Sequence, residues 1–425
     1  MDITRLLLLG SVISVLCTTT SPSFAAPDED QLGKASGYPI GNAENWFYDE
    51  SVRVGSFSHQ GEIPHVFGGD SHRLAPSSEP MPLPRAEKER PVCWNSVDAH
   101  NLTVDDYLAR HRIMGLMIVK DGVIQVERYQ YDRKPTDRFL SNSMVKSITS
   151  LGIGIALREG KIHSLDDRAD VYAPELTGTL YGETTIRNLL HMSSGAKFTE
   201  IYNGADDAAH FGKVATREGL QAAARTVTER AVPQGAQFNY ASAQTDMLGL
   251  VLRGATGMNL SDYLASRLWQ PIGAADAALW RADRFGQERA SGGFNATLAD
   301  YARLAVVLAN DGVRPDDPQH TQIVPRDYLL DATDWHRQPE AFQPHHASPY
   351  YGYGYQFWLF PGEKRRFAML GVYGQMIFID PERKLVMVQT AANATAKVGG
   401  GGTSLSKEAD EFWRGVERGC GDTAL

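Results

Sequence analysis

Three stretches of this sequence carry residue types able to break an acyl bond. Ser143-Met144-Val145-Lys146 sets a hydroxyl and an amine at i and i+3 of a helix, on one face, so the amine can reach the hydroxyl. A serine hydroxyl is a weak nucleophile until a base takes its proton. A lysine can be that base only where burial or a nearby cation lowers its pKa. The same spacing recurs at Ser404-Leu405-Ser406-Lys407. There, at the mouth of the last helix, an N-cap and a solvated lysine are the expected roles. Tyr240, in Tyr240-Ala241-Ser242, follows the turn signals Pro233 and Gly235 and precedes a helix expected over about 244–252. A phenol at such a junction can enter a cleft and move a proton; an ordinary half-buried tyrosine is the plainer reading. Gly371 and Gly374 interrupt a β-type run. A glycine inside a strand marks a bulge or the close approach of another backbone or ligand, and an N–H at such an edge can serve an oxyanion.

The elements around these residues can be read from periodicity. Met144, Ile148, Leu151 and Ile155 recur at helical spacing, Val145, Ile153 and Leu157 make other faces apolar, and Gly160 stops the run. This predicts a buried central helix opened by Ser143. A helix over about 102–112 is followed by two β-rich runs, 113–119 and 123–129, across Asp121-Gly122, a strong hairpin signal. Thr297 with Asp300 three residues on predicts a capped helix ending at Gly312. Strands are expected at 353–360, 367–373, 375–380 and 385–390, and a last amphipathic helix carries Phe412, Trp413 and Val416. Hairpins at both ends predict one antiparallel sheet built from both termini, with a helical block inserted over about 143–310. The aromatic run 348–358 is read as sheet core. The adjacent His345 and His346 lack a third ligand at metal spacing and are read as a surface pair.

The 425 residues are 42% apolar and 22% charged, as in globular proteins, with a formal net charge of −9 that disfavours nucleic-acid binding. Arg5, the apolar run 6–17 and Ser23-Phe24-Ala25 read as a secretory leader over residues 1–25, too short in its apolar part for a comfortable membrane span. No later stretch can span a membrane, and the periplasm is the expected compartment. Cleavage after Ala25 removes Cys17 and leaves Cys93 and Cys420, either bridged or free. Residues 26–94, rich in Gly, Pro and Ser, read as an N-terminal arm anchored by Trp46 and Phe47. Three Asn-x-Thr sites, at Asn101, Asn295 and Asn393, matter only in a glycosylating pathway.

Taken together, Ser143–Lys146, Tyr240 and the Gly371 strand resemble, in order and rough spacing, the serine β-lactamases and penicillin-binding proteins, class C branch. Residues 185–195 resemble that branch's helix and turn after the nucleophile, and Ser291-Gly292-Gly293-Phe294-Asn295-Ala296-Thr297 with Asp300 its Gly-Gly segment. The resemblance covers about residues 95–418. It implies an α/β (α+β) β-lactamase/transpeptidase-like fold: a sheet subdomain of about 95–142 and 311–425, flanked by terminal helices, around an all-helical block, within a hydrolase domain of 95–425. In that fold the two terminal helices pack side by side, which makes a Cys93–Cys420 bridge feasible.

Departures from the family pattern bear on substrate. Ser242 stands where the tyrosine motif usually ends in Asn. Met369-Leu370-Gly371 stands where the family has Lys-Thr-Gly, so the lysine that helps hold a β-lactam carboxylate is absent. Gly371-Val372-Tyr373-Gly374 looks instead like β-lactamase-like carboxylesterases and 6-aminohexanoate-dimer (nylon-oligomer) hydrolases. The resemblance implies Ser143 as nucleophile, Lys146 as its base, Tyr240 as proton relay, and the N–H groups of Ser143 and Val372 as the oxyanion hole. Tyr202, Ser242, Gly371 and Tyr373 are the implied substrate contacts. Arg365, Arg366 and His345 are candidates for a substitute cation. These groups complete an acyl-transfer site, so no metal or cofactor is implied. The expected function is a secreted serine hydrolase acting on a small ester or amide. A β-lactamase or D-alanyl-D-alanine carboxypeptidase is the enzyme alternative, and a non-catalytic sensor on the same fold is the other.

Overall fold

The computed structural model describes residues 25–397 and 407–420. The leader, apart from Ala25, and Ser404 lie outside the described residues. Eleven strands are described: β1 (Gly68–Leu74), β2 (Ile113–Lys120), β3 (Val123–Tyr129), β4 (Phe139–Leu140), β5 (Ala278–Asp283), β6 (Phe294–Ala296), β7 (Gly352–Tyr353), β8 (Trp358–Leu359), β9 (Phe367–Gly371), β10 (Gln375–Asp380) and β11 (Leu385–Ala391). The helices are α1 (Arg53–His59), α2 (Val104–Arg110), α3 (Val145–Arg158), α4 (Ile186–Leu190), α5 (Asp207–Glu218), α6 (Leu220–Arg225), α7 (Ser242–Thr256), α8 (Leu260–Leu264), α9 (Leu298–Ala309), α10 (Arg326–Thr333) and α11 (Lys407–Arg418).

The main sheet is antiparallel throughout, in the order β3-β2-β11-β10-β9-β8-β7. Strands from both ends of the chain meet at β2–β11, as the hairpins predict. The β2–β3 turn holds Asp121 at φ 53° and Gly122 at φ 77°, the paired positive φ of a tight hairpin. Side chains alternate across the sheet. Met369, Ile377, Ile379, Val386 and Val388 join the larger core under the helical block, while Leu370, Met376, Phe378, Leu385 and Met387 face the other way. That second face is covered by α2 and α11, where Tyr107 stacks on Phe412 with ring centroids 3.9 Å apart. The packing brings Cys93 and Cys420 together as a disulfide, with Cα atoms 5.0 Å apart.

Three expectations need correction. The inserted block is not all helical, because β5 and β6 lie within it and form a second sheet, β1-β5-β6-β4. One edge of that sheet is β1, from the N-terminal arm, whose Gly-Gly-Asp-Ser-His-Arg-Leu sequence is too polar to signal a strand. The arm is held as part of the body. Arg112 pairs with Asp28 at 2.7 Å and with Glu50, and donates to Gln31 at 2.9 Å. Lastly, the run 353–360 is not one strand. Gln356 takes φ 65°, and its buried amide donates to the carbonyls of Leu189 and Leu190 at 3.0 and 2.9 Å, looping 354–357 out of the ladder. Asn295 is fully buried and donates to Gln60, so it is no glycan acceptor in the folded chain. No described helix is long and apolar enough to cross a membrane.

Candidate active site

A single turn of 3₁₀ helix, Asn142–Met144, leads into α3 and presents Ser143 at the floor of a cavity of about 450 Å³. Such a volume is ordinary for a small-molecule site. Asn142 sits at φ 44°. A non-glycine residue held at positive φ beside a reactive group is strain that the surroundings must impose. They do so here: the Asn142 amide donates to the Val372 carbonyl at 2.9 Å, locking the turn that carries Ser143 to the end of β9. Gly371 is required at that junction, because a Cβ there would come within 2.5 Å of the Ser141 carbonyl oxygen. The glycine thus marks the close approach of another backbone, and it is not among the residues that line the cavity. Ser143 and Val372 both line the cavity.

Lys146 is 1% exposed, and its Nζ donates to Ser143 Oγ at 2.8 Å and to the Ser291 carbonyl at 2.9 Å. Burial in apolar surroundings pushes its pKa down to about 8. The Ser291 backbone that accepts from it is fixed from behind. Asp246, fully buried on α7, accepts from the Ser291 N–H at 3.0 Å and from Arg289 Nη2 at 2.9 Å. The Ser291 carbonyl, and so the lysine, is thereby held in place. Neither Asp246 nor Arg289 carries a motif signature that the sequence alone would expose.

Tyr240 is half-buried over the aromatic run. Its ring stacks on Trp358 with centroids 5.8 Å apart, and Lys146 Nζ lies 5.2 Å from its centre. Burial raises the phenol pKa far above its ordinary value, and a hydrogen bond with Ser143 only partly offsets this. The phenol therefore keeps its proton in a range where the lysine can lose one. Tyr202 also reaches the site, and its hydroxyl interacts with Ser143 and donates to Glu200 Oε1 at 2.5 Å. Its loop holds φ 62° through Asp206, whose carboxylate accepts from the N–H groups of Ile201 and Tyr202 at 2.6 and 2.8 Å.

Glu200 is the polar residue that the motifs did not reveal. It is 6% exposed and accepts from Tyr202, from Ser242 Oγ at 2.6 Å and from the Ser242 N–H at 2.6 Å. Ser242 lines the cavity, but its hydroxyl is committed to this carboxylate. Lys397 closes the same corner, donating to the Glu200 carbonyl at 2.8 Å, with Nζ 5.1 Å from the Tyr202 ring centre. The only sequence signal was the short spacing Glu200-x-Tyr202.

Tyr373 points elsewhere than expected. Its ring packs on Phe47 and Phe57 of the arm, under the Arg53 guanidinium at 4.4 Å, and it does not line the cavity. The arm also supplies the apolar wall: Trp46, Phe47, Tyr48, Val66 and Phe67. Met369 is buried in the core and stays out of the cavity. Arg365 pairs with Asp311, Arg366 pairs with Glu417, and exposed His345 is held on the Pro349 carbonyl, so none of the three lines the cavity. Among the described residues no cluster of His, Cys, Asp and Glu could hold a metal ion.

Comparison with known proteins finds relatives of the same fold. A 6-aminohexanoate-dimer hydrolase of Paenarthrobacter ureafaciens is 26% identical over 285 residues, covering 65% of this chain and 71% of that protein. A solved structure from Bacillus anthracis, assigned to the 6-aminohexanoate-dimer hydrolases, superposes with a TM-score of 0.74 at 23% identity, over 88% of this chain and 95% of the other. The hydrolase EstCE1, with promiscuous acyltransferase activity, shares the fold at a TM-score of 0.55 and 17% identity, over 72% of this chain and 93% of its own. The family model described as Beta-lactamase matches residues 101–398, a span that holds Ser143, Lys146, Tyr240 and Gly371. With well over half of its length matched, the chain belongs to the beta-lactamase family and is a serine hydrolase.

Proposed function

We propose that the protein is exported and cleaves an ester or amide through an acyl-enzyme on Ser143. The observation that carries this reading is the buried Lys146 amine, 2.8 Å from Ser143 Oγ, with its pKa down near 8. In its neutral form Lys146 takes the Ser143 proton as Oγ attacks the substrate carbonyl carbon. The oxyanion that forms is held by the N–H groups of Ser143 and Val372. Tyr240, protonated at rest, is suited to hand its proton to the leaving oxygen or nitrogen and to recover one from Lys146. Water then hydrolyses the acyl-enzyme by the same groups in reverse. Tyr202 and Ser242, joined through Glu200, shape the pocket beside the nucleophile.

A linear or small cyclic ester or amide fits better than a penicillin. No lysine stands where the family has Lys-Thr-Gly, and two of the relatives are named as 6-aminohexanoate-dimer hydrolases. A disulfide between Cys93 and Cys420 supports an oxidising compartment such as the periplasm.

The test is a substrate screen of the mature protein against p-nitrophenyl esters, linear amides and cephalosporins, with Ser143→Ala as the blank. Esters should be turned over and Ser143→Ala should lose at least ~10³-fold in activity, the scale of a lost covalent step. Nitrocefin hydrolysis as fast as the best ester would move the assignment to a β-lactamase. Failure of Ser143 to label with a fluorophosphonate would make the chain a binding module.

A further inference from the structure

One face of α5 lines the catalytic cavity. Ala209, Gly212, Lys213, Thr216 and Arg217 all border it, at the i, i+3, i+4, i+7 and i+8 spacing of a single helical stripe. Phe211 and Ala215, on the opposite side, anchor the helix in the core. The stripe begins with small residues, and a Cβ at Gly212 would meet nothing within 4 Å, so the space above the helix is open. Lys213 and Arg217 are exposed and lie one turn apart, the two cations of the stripe.

Their charge is not spent nearby. Lys213 makes one long contact, 3.5 Å, to the Gly204 carbonyl. The carboxylates at the start of α5 are engaged by other partners. Asp206 accepts from the N–H groups of Ile201, Tyr202 and Ala209, and Asp207 from the N–H and hydroxyl of Thr199. The third cation of the cavity, Arg289, is neutralised by buried Asp246. Glu44, from the arm, is the one acidic residue among those that line the cavity. A chain of net charge −9 thus concentrates unspent positive charge at the edge of a pocket whose remaining wall is aromatic and apolar.

Resting on the hydrolase reading above, we propose that Lys213 and Arg217 form a carboxylate-binding subsite. The preferred substrate is then an ester or amide with an apolar body and a free carboxylate at one end. The apolar body lies along Trp46, Phe47 and Phe67, and the carboxylate meets the two cations at the rim. Such exposed pairs are each worth a small factor, and two together favour an anionic substrate over a neutral one by about 2- to 30-fold at low salt. An ammonium-ended substrate is disfavoured by a similar factor. Both effects shrink in ~0.5 M salt, where charges are screened within a few ångströms.

Two probe series test this. In the first, p-nitrophenyl esters of linear six-carbon acids end in methyl, carboxylate or ammonium. In the second, phenyl hexanoate is compared with its 4-carboxyphenyl and 4-aminomethylphenyl counterparts. The expected result is that kcat/KM ranks carboxylate above neutral above ammonium in at least one series. Lys213→Glu/Arg217→Glu should invert that ranking, with the neutral ester still cleaved. A ranking that ignores charge, or one that the double substitution leaves intact, overturns the subsite. Those outcomes occur with the neutral ester still cleaved through Ser143. Failure of the hydrolase reading is distinct, since the neutral ester would then not be cleaved at all.

Discussion

Lys146 makes the sharpest prediction, because a single amine sets both rate and stability. Its pKa falls from 10.5 to about 8 on burial. Only the neutral amine can accept the Ser143 proton. The competent fraction is then about 1% at pH 6, about 10% at pH 7 and about 90% at pH 9. For a p-nitrophenyl ester, kcat/KM should rise nearly tenfold from pH 6 to pH 7 and level off above about pH 9. Because the folded-state pKa lies below the unfolded one, the unfolded chain binds more protons between about pH 8 and 10.5. The contribution of Lys146 to stability is therefore least favourable below about pH 8 and improves as pH rises through that window. The drop of about 2.5 pKa units corresponds to about 3 kcal/mol of cost at neutral pH. Lys146→Met removes that cost but leaves Ser143 Oγ and the Ser291 carbonyl without this donor, at about 1 kcal/mol each. A net gain of about 1 kcal/mol, with activity lost, is the expected outcome. Lys146→Arg should lose the acylation burst too, since a guanidinium keeps its proton at any working pH. Stopped-flow rates from pH 5.5 to 10 and urea unfolding at pH 7 are the measurements. A flat pH profile, or a near-normal burst in Lys146→Arg, would refute the neutral-base role.

Two further outcomes follow from how the site is braced. Arg53 donates to the carbonyls of Asn393 and Tyr48 at 2.9 and 3.0 Å and covers Tyr373, which sits at φ 63° one residue after Val372. Arg53→Ala should let that turn relax and lower kcat about 10- to 100-fold, with KM within about twofold, less than the ~10²–10³ of a deleted oxyanion donor; an unchanged kcat in a folded variant would show that the arm does not position the turn. Cys93 and Cys420 close a loop of 327 residues, and reducing them should cost up to ~5 kcal/mol in the chain-entropy view; two alkylatable thiols in protein from an oxidising compartment would exclude the bridge.

Much of this protein was legible from sequence because its signals are local. The i, i+3 spacing of Ser143 and Lys146, the Asp121-Gly122 turn and the Thr297 cap each depend on residues within one turn of each other, so the local pattern exposes them as candidates. The β-rich runs near both termini are readable one by one for the same reason, although the pairing of β2 with β11 joins distant segments. What tertiary structure decided is everything that depends on distant segments meeting. The polar β1 is a strand because β5 pairs with it, and its own residues carry no such preference. Glu200 matters because folding sets it against Ser242, and Asp246 because it holds the Ser291 loop. Tyr373 was assigned to the substrate by motif position, but a positive φ turns it toward an aromatic cluster more than 300 residues away in sequence. Above all, the base proposed for Ser143 could be picked out from sequence, but the burial that would ready it for that role could not. A pKa is set by the solvent that the whole fold excludes, and no spacing of residues along the chain records that exclusion.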